Sequence, residues 1–190
     1  MPCGWANTGR DSKDCDGHAR RAFEFQGQRT TKVRIGVVSD THSHFRPRLR
    51  DLFSDVEMIL HAGDIGSLRV IQELERIAPV TAVHGNMDRD LLWEKYPSMR
   101  VLRLQERNVL LVHRVSDGLR EITRRRATDS DEPIDVLIFG HTHRAECVKR
   151  DGVLHFNPGL GGMPRSYQTA TAGIVTLEDG EIRGEILGLG

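Results

Sequence analysis

The chain has 190 residues, 38% hydrophobic and 28% charged, which fits one domain with a core of ordinary size. Lys plus Arg and Asp plus Glu are both 27, so the formal charge is zero and the basic excess of an electrostatic nucleic-acid binder is missing. No apolar run approaches the roughly 18 residues a membrane span needs, and Cys3, Cys15 and Cys147 fit no metal-finger spacing, so a cytoplasmic protein with reduced thiols is expected.

Residues 1–31 are polar, carry several Gly, Asp and Arg, and keep no period of 2 or 3.6. A disordered extension is expected there, followed by one domain over 32–190. Residues 32–39 form a nearly continuous apolar run, the mark of a strand covered on both faces. A short helix is expected over 46–53, with Pro47 in its first turn, then a second strand over 57–61. Ser67 caps a helix over 68–77 that carries Val70, Ile71, Leu74 and Ile77 on one face. A third strand follows over 79–83. This β-α-β-α-β rhythm implies parallel strands with right-handed crossovers.

From Arg100 the rhythm changes. Residues 101–104 and 109–112 flank 105–108 as a hairpin, and an exposed Arg-rich helix is expected over 119–126, then an acidic loop over 128–132. A strand over 135–139 precedes two hairpins, 145–156 and 173–187, whose turns are Asp151-Gly152 and Asp179-Gly180. Parallel units mixed with hairpins give an α/β fold of two packed mixed sheets flanked by helices.

Five apolar runs end on residues of one chemical kind: Asp40 and His42, then Asp64, Asn86, His113, and finally His141 and His143 of Phe-Gly-His-Thr-His. In extended chain, positions i and i+2 point the same way, so His141 and His143 are expected to aim at one volume. Ends of sheet strands are where such volumes become sites. Two carboxylates, one amide oxygen and four imidazoles are too many for one metal and suit two, 3.5–4 Å apart, able to clamp a phosphoryl group. Mixed nitrogen and oxygen ligation admits manganese, iron, zinc, cobalt or nickel with little preference; manganese is taken first.

Asp-Thr-His, Gly-Asp, Gly-Asn, a lone His and Gly-His-Thr-His occur in the order found in calcineurin-like metallophosphoesterases. The chain resembles their small single-domain bacterial and archaeal phosphodiesterase branch over about 32–190, and Asn157-Pro158-Gly159 resembles another of its motifs, with Leu160 where Ser is usual. The resemblance implies a four-layer α-β-β-α sandwich. It implies that Asp40, His42 and His143 hold one metal, that Asn86, His113 and His141 hold the other, and that Asp64 bridges. Asn86 and Asp64 are then the catalytic pair, Asn86 touching substrate phosphate. The implied reaction is hydrolysis of a small phosphodiester by in-line attack of a hydroxide bridging the two ions.

Two departures bear on the chemistry. Met87 stands where many relatives have a His that assists the leaving group, and Arg114 stands where a Gly is usual. His84 and Arg114 are open as substitutes. His44 is either a neighbour of the site or a surface residue; His61 reads as a packed strand residue, and His155 as a strand residue facing the other sheet. A non-catalytic scaffold on the same fold and a phosphomonoesterase are the alternatives. No membrane and no clear nucleic-acid surface are expected as partners, and a homodimer stays open.

Overall fold

The computed structural model describes residues 32–128, 133–165 and 167–190. The expected extension over 1–31 and most of the acidic loop lie outside them. Two five-stranded mixed sheets pack face to face. The first has the order β10-β9-β1-β2-β3, with β1 Val33–Val38, β2 Met58–His61, β3 Val80–Ala82, β9 Thr171–Glu178 and β10 Glu181–Gly188. The second has the order β4-β5-β6-β8-β7, with β4 Met99–Leu104, β5 Arg107–Val112, β6 Val136–Ile138, β7 Glu146–Arg150 and β8 Val153–Asn157. The helices are α1 Leu49–Leu52, α2 Leu68–Glu75, α3 Leu91–Lys95 and α4 Val115–Ala127. None in the described residues is long and apolar enough to cross a membrane.

Alternation along the strands builds the layers. Ile35, Val37, Leu60, Val109, Leu111, Val136, Ile138 and Phe156 fill the space between the sheets. The opposite face of the first sheet packs Ile59 and Ile174 against Leu49 and Phe53 near α1 and against Val70, Ile71 and Leu74 of α2. The opposite face of the second sheet packs Leu110, Val112 and Leu137 against Ile122 of α4. Both faces of the central strands are therefore covered, which explains runs such as Val109–Val112 with no polar alternation. Ser67 caps α2 by accepting from the Arg69 amide at 3.2 Å, as its sequence position suggests.

Three details differ from expectation. Helix α4 begins at Val115, with Arg114 between it and His113, and packs so close to Leu137 at Gly118 that a Cβ there would overlap it. The β4–β5 turn is two residues, with Gln105 at φ 54°, since Leu104 already pairs with Arg107. His155 does not face the other sheet. Its neighbours Leu154 and Phe156 do, and His155 shares the α4 side with Val153, as the pleat requires.

Strands β1, β2 and β3 run parallel, as do β5, β6 and β8. The residues singled out from sequence follow the C-terminal ends of β1, β2, β3, β5 and β6.

Candidate metal centre

The loops after β1 and β2 continue the parallel pairing beyond the strands. The amides of Asp40, His42 and Ser43 donate to the carbonyls of Gly63, Asp64 and Ile65 at 2.9, 3.0 and 2.9 Å. Gly140 donates to the His113 carbonyl at 3.0 Å, which ties the loop after β6 to the end of β5. These bonds hold a backbone that would not otherwise persist. Asp40, His42, Asp64, His141 and His143 all sit at positive φ, between 45° and 70°, a region non-glycine residues rarely occupy. His141 and His143 are therefore not in extended chain, and the shared-face argument for them does not hold. His141 turns to His113, with ring centroids 5.2 Å apart; His143 turns to His42, at 5.1 Å.

The side chains form two sets. In one, the Nε2 atoms of His42 and His143 lie 3.2 Å apart, and Asp40 Oδ1 lies 3.2 Å from His143 Nε2. Asp40 is fully buried; its Oδ2 accepts from the His141 amide at 3.0 Å, while its Oδ1 has no hydrogen-bond partner. In the other, His113 Nδ1 donates to the Ala62 carbonyl at 2.8 Å. That bond fixes the tautomer and leaves the Nε2 lone pair facing Asn86 Oδ1 at 3.1 Å and Asp64 Oδ1 at 3.4 Å. Ligand-type atoms of Asp40, His42 and His143, and separately of Asp40, Asp64 and His113, lie within 4.8 Å of one another. Asp40 is common to both groups. Asp64 lies between them electrostatically, since the charges of both His113 and His42 act on it.

The electrostatics follow from that crowding. Burial opposes the Asp64 carboxylate, but His113 and the Met87 amide, donating at 2.8 Å, hold its pKa below the usual range. Burial also works against a charged His113, yet Asp64 outweighs it and raises the imidazole. His143 is raised by its contact with Asp40. His141 is lowered by burial, then by the charges of His113 and Arg114. Lone pairs and carboxylates converging in a buried volume attract a proton or a cation, and the mixed oxygen and imidazole set fits divalent metals.

A cleft of about 620 Å³ opens over these groups; His42, His44, Asp64, Asn86, His141 and His143 line it together with Met87, Leu160, Met163, Pro164, Arg165 and Gln168. His44 donates from Nδ1 to the His42 carbonyl at 2.8 Å and lines this cleft. His61 stays behind it. The Gly63 amide donates to its Nδ1, its Nε2 donates to Thr41 Oγ1 at 2.9 Å, and that hydroxyl donates to the Ile65 carbonyl. Burial pushes the His61 pKa down to about 4, which keeps this chain of neutral bonds intact.

Two residues that shape the site were not assigned a role from sequence. Asp88 is buried and accepts from the amides of Gly85, Ile65 and Gly66 at 2.8, 3.1 and 2.8 Å, so one carboxylate clamps the loops carrying Asp64 and Asn86. Gly85 must be glycine beside it, because a Cβ there would overlap the Asp64 carboxylate. Asn157, at the end of β8, donates to the Gly140 carbonyl and to Thr142 Oγ1 at 3.1 and 3.0 Å and so braces the His-Thr-His loop. Its place in the Asn157-Pro158-Gly159 motif at the end of an apolar strand was the available signal.

The profile of the calcineurin-like phosphoesterase superfamily domain matches residues 33–180. The chain belongs to that family. It is 38% identical over 136 residues to a probable metallophosphoesterase of Methanothermobacter thermautotrophicus, covering 69% of this chain and 78% of that one. A solved structure described as a novel archaeal phosphodiesterase superposes with a TM-score of 0.64 at 30% identity, covering 82% of this chain and 100% of the other. Vacuolar protein sorting 29 of Cryptosporidium parvum superposes equally well, with a TM-score of 0.64 over 83% of this chain and 97% of its own, but at 18% identity it shares the fold alone. The chain is thus a metallophosphoesterase by family, with the four-layer architecture of its structural neighbours.

Proposed function

We propose that the chain is a dinuclear metal-dependent phosphodiesterase acting on small phosphodiesters. The supporting observation is the convergence of ligand-type atoms behind one opening: a buried Asp40 oxygen that makes no hydrogen bond and lies 3.2 Å from His143 Nε2, two Nε2 atoms 3.2 Å apart, and a His113 Nε2 beside the oxygens of Asn86 and Asp64. Asp40, His42 and His143 would hold one cation and Asn86, His113 and His141 the other, with Asp64 between them. Two divalent cations there would supply Lewis-acid charge and a water activated near neutral pH.

The protein's own groups do the rest. Asn86, exposed in the cleft beside His113, would touch a phosphoryl oxygen. Guanidinium groups flank both ends: Arg165 near His143 and Arg114 near His141, each charge acting on the imidazole beside it. Both suit the anionic phosphoryl group. In the reaction, water oxygen bonds to phosphorus as one ester P–O bond breaks, giving a monoester and an alcohol. Met87, half-exposed in the cleft, offers no proton to the departing oxygen. His84 does not fill that role from its present place, since its ring packs on Trp93 with centroids 4.8 Å apart and its Nδ1 donates to the Gly85 carbonyl at 3.3 Å.

A scaffold function is disfavoured by the completeness of the set: His42, Asp64, Asn86, His141 and His143 line the cleft, with Asp40 and His113 buried behind it. The deciding experiment is a metal-by-substrate screen on metal-stripped protein, comparing aryl diesters with aryl monoesters. Turnover restored by manganese or a related divalent ion, with higher kcat/KM for activated diesters, is expected. General acid assistance is typically worth about 10²–10⁴-fold, and a monoester needs it more. No turnover with any metal would favour the scaffold, and a monoester preference would favour the phosphomonoesterase.

A further inference from the structure

Beside the metal cleft lies a second, smaller concavity. It holds about 290 Å³ and is lined by His84, Trp93, Ser98, Arg114 and Asp117, together with Asn86 and His113. Asn86 borders both spaces. The two therefore meet at the point where the phosphoryl group would sit. A phosphodiester carries two organic arms on one phosphorus, and this site offers one concavity to each.

Trp93 is the unusual feature of the alcove. It is 56% exposed on the short helix α3, and Met87 and Leu91 nearby are 57% and 65% exposed. A large aromatic ring in solvent has no value to the core. Yet Trp93 is held in place: its ring packs on His84, and its Nε1 donates to the Gly85 carbonyl at 3.4 Å. Gly85 immediately precedes Asn86. A fixed aromatic surface one residue from the phosphoryl position, in an alcove that Arg114 also lines, suits a planar ring attached to an anion.

We propose that this alcove is a subsite for the retained arm of the diester, and that the arm ends in a planar aromatic ring, a nucleobase or an aryl group, stacked on Trp93. This rests on the phosphodiesterase reading for its place in the reaction, but not for the binding itself. The volume is at the low end for ligand pockets and admits one ring system rather than a second nucleotide. The departing arm leaves through the larger cleft past Met87 and Met163, whose lining among the described residues includes no tryptophan, tyrosine or phenylalanine.

The test uses the full chain and two diesters with one leaving group: the 4-nitrophenyl ester of thymidine 5'-phosphate and methyl 4-nitrophenyl phosphate. On the manganese-loaded wild type the nucleoside diester should have the lower KM. Trp93→Ala should cut that preference about tenfold, within the range of one base–aromatic stack, chiefly through KM, and Trp93→Phe should restore most of it. Phenyl 4-nitrophenyl phosphate separates the sources: if it matches the nucleoside diester, any planar ring serves. Binding is read without turnover in the Trp5→Phe variant, whose remaining tryptophan is Trp93. Thymidine monophosphate should quench its fluorescence and inorganic phosphate should not. Quenching with no hydrolysis of any diester would defeat the phosphodiesterase reading and leave the subsite standing. Equal losses on both diesters, or no quenching, would overturn the subsite. So would a Trp93→Ala variant that changes only the mass in solution, which would make the patch a contact between copies of the chain.

Discussion

The cleft over Asp40 and His143 holds about 620 Å³, and a cavity between α4 and the β7–β8 hairpin holds about 450 Å³. One loop separates them, since His141 and His143 line the first and Thr142 the second. The α4 cavity has an apolar floor of Val115, Ile122, Phe139 and Val153, and its polar groups answer one another. Arg150 pairs with Glu146 at 2.6 Å and reaches His155 at 3.4 Å, and Arg126 donates to the Asp151 carbonyl. In the cleft, imidazole nitrogens crowd one another and the oxygens of Asn86, Asp64 and Asp40 at 3.1 to 3.4 Å, and the buried Asp40 Oδ1 makes no hydrogen bond. Size and burial do not distinguish the two spaces; unmatched polar groups do.

Paired substitutions break that comparison most directly. His113→Ala should lower kcat/KM for an aryl diester by at least about 10³-fold, the loss of several kcal/mol of charge stabilisation. His155→Ala, in the α4 cavity, should leave it within about twofold. Equal losses would mean that the acceptor geometry is not what matters. The measurement is steady-state kinetics at saturating manganese.

Asp88 sharpens the contrast, because it supports the cleft without lining it. Asp88→Ala strands three backbone amides, a cost of roughly 3 kcal/mol or more in chemical denaturation. It should also weaken metal affinity by about 10–100-fold, as loss of an orienting partner does. Unchanged metal affinity in a folded Asp88→Ala protein would show that the two loops need no clamp.

A smaller effect concerns His61, behind the cleft. Its folded pKa, about 4, lies below the ordinary imidazole value of 6.5, so the unfolded chain binds the proton more readily. Its contribution is complete above the ordinary imidazole value and is lost as pH falls towards 4. Between pH 7 and 5 this amounts to about 2 kcal/mol. His61→Gln should flatten that part of the stability curve, measured by urea unfolding at several pH values. An unaltered slope would remove His61 from the account.

Much of this was legible in the sequence, for physical reasons that can be named. The parallel strands had to be apolar throughout because both faces are covered, and their abrupt ends on Asp40, Asp64, Asn86, His113 and His141 marked one edge of the fold. The Asp-Gly turns were readable because left-handed residues are needed there, and Asp151 and Asp179 do lie at positive φ. What escaped notice depends on contacts between distant loops. Nothing local announces that Asp88 answers amides 22 and 23 residues away, and the Asn157-Pro158-Gly159 motif does not reveal that its Asn braces Gly140. The left-handed backbone at His141 and His143 also defeats an argument from strand pleating, since it is imposed by bonds to Asp40 and His113.

A two-metal centre can be counted. Metal-stripped protein is reconstituted with manganese, passed through a desalting column, and analysed for metal per chain by elemental analysis. Two equivalents are predicted for the wild type, and loss of both in Asp64→Ala, because Asp64 would serve both ions. One equivalent in the wild type, or two retained in Asp64→Ala, would contradict the account.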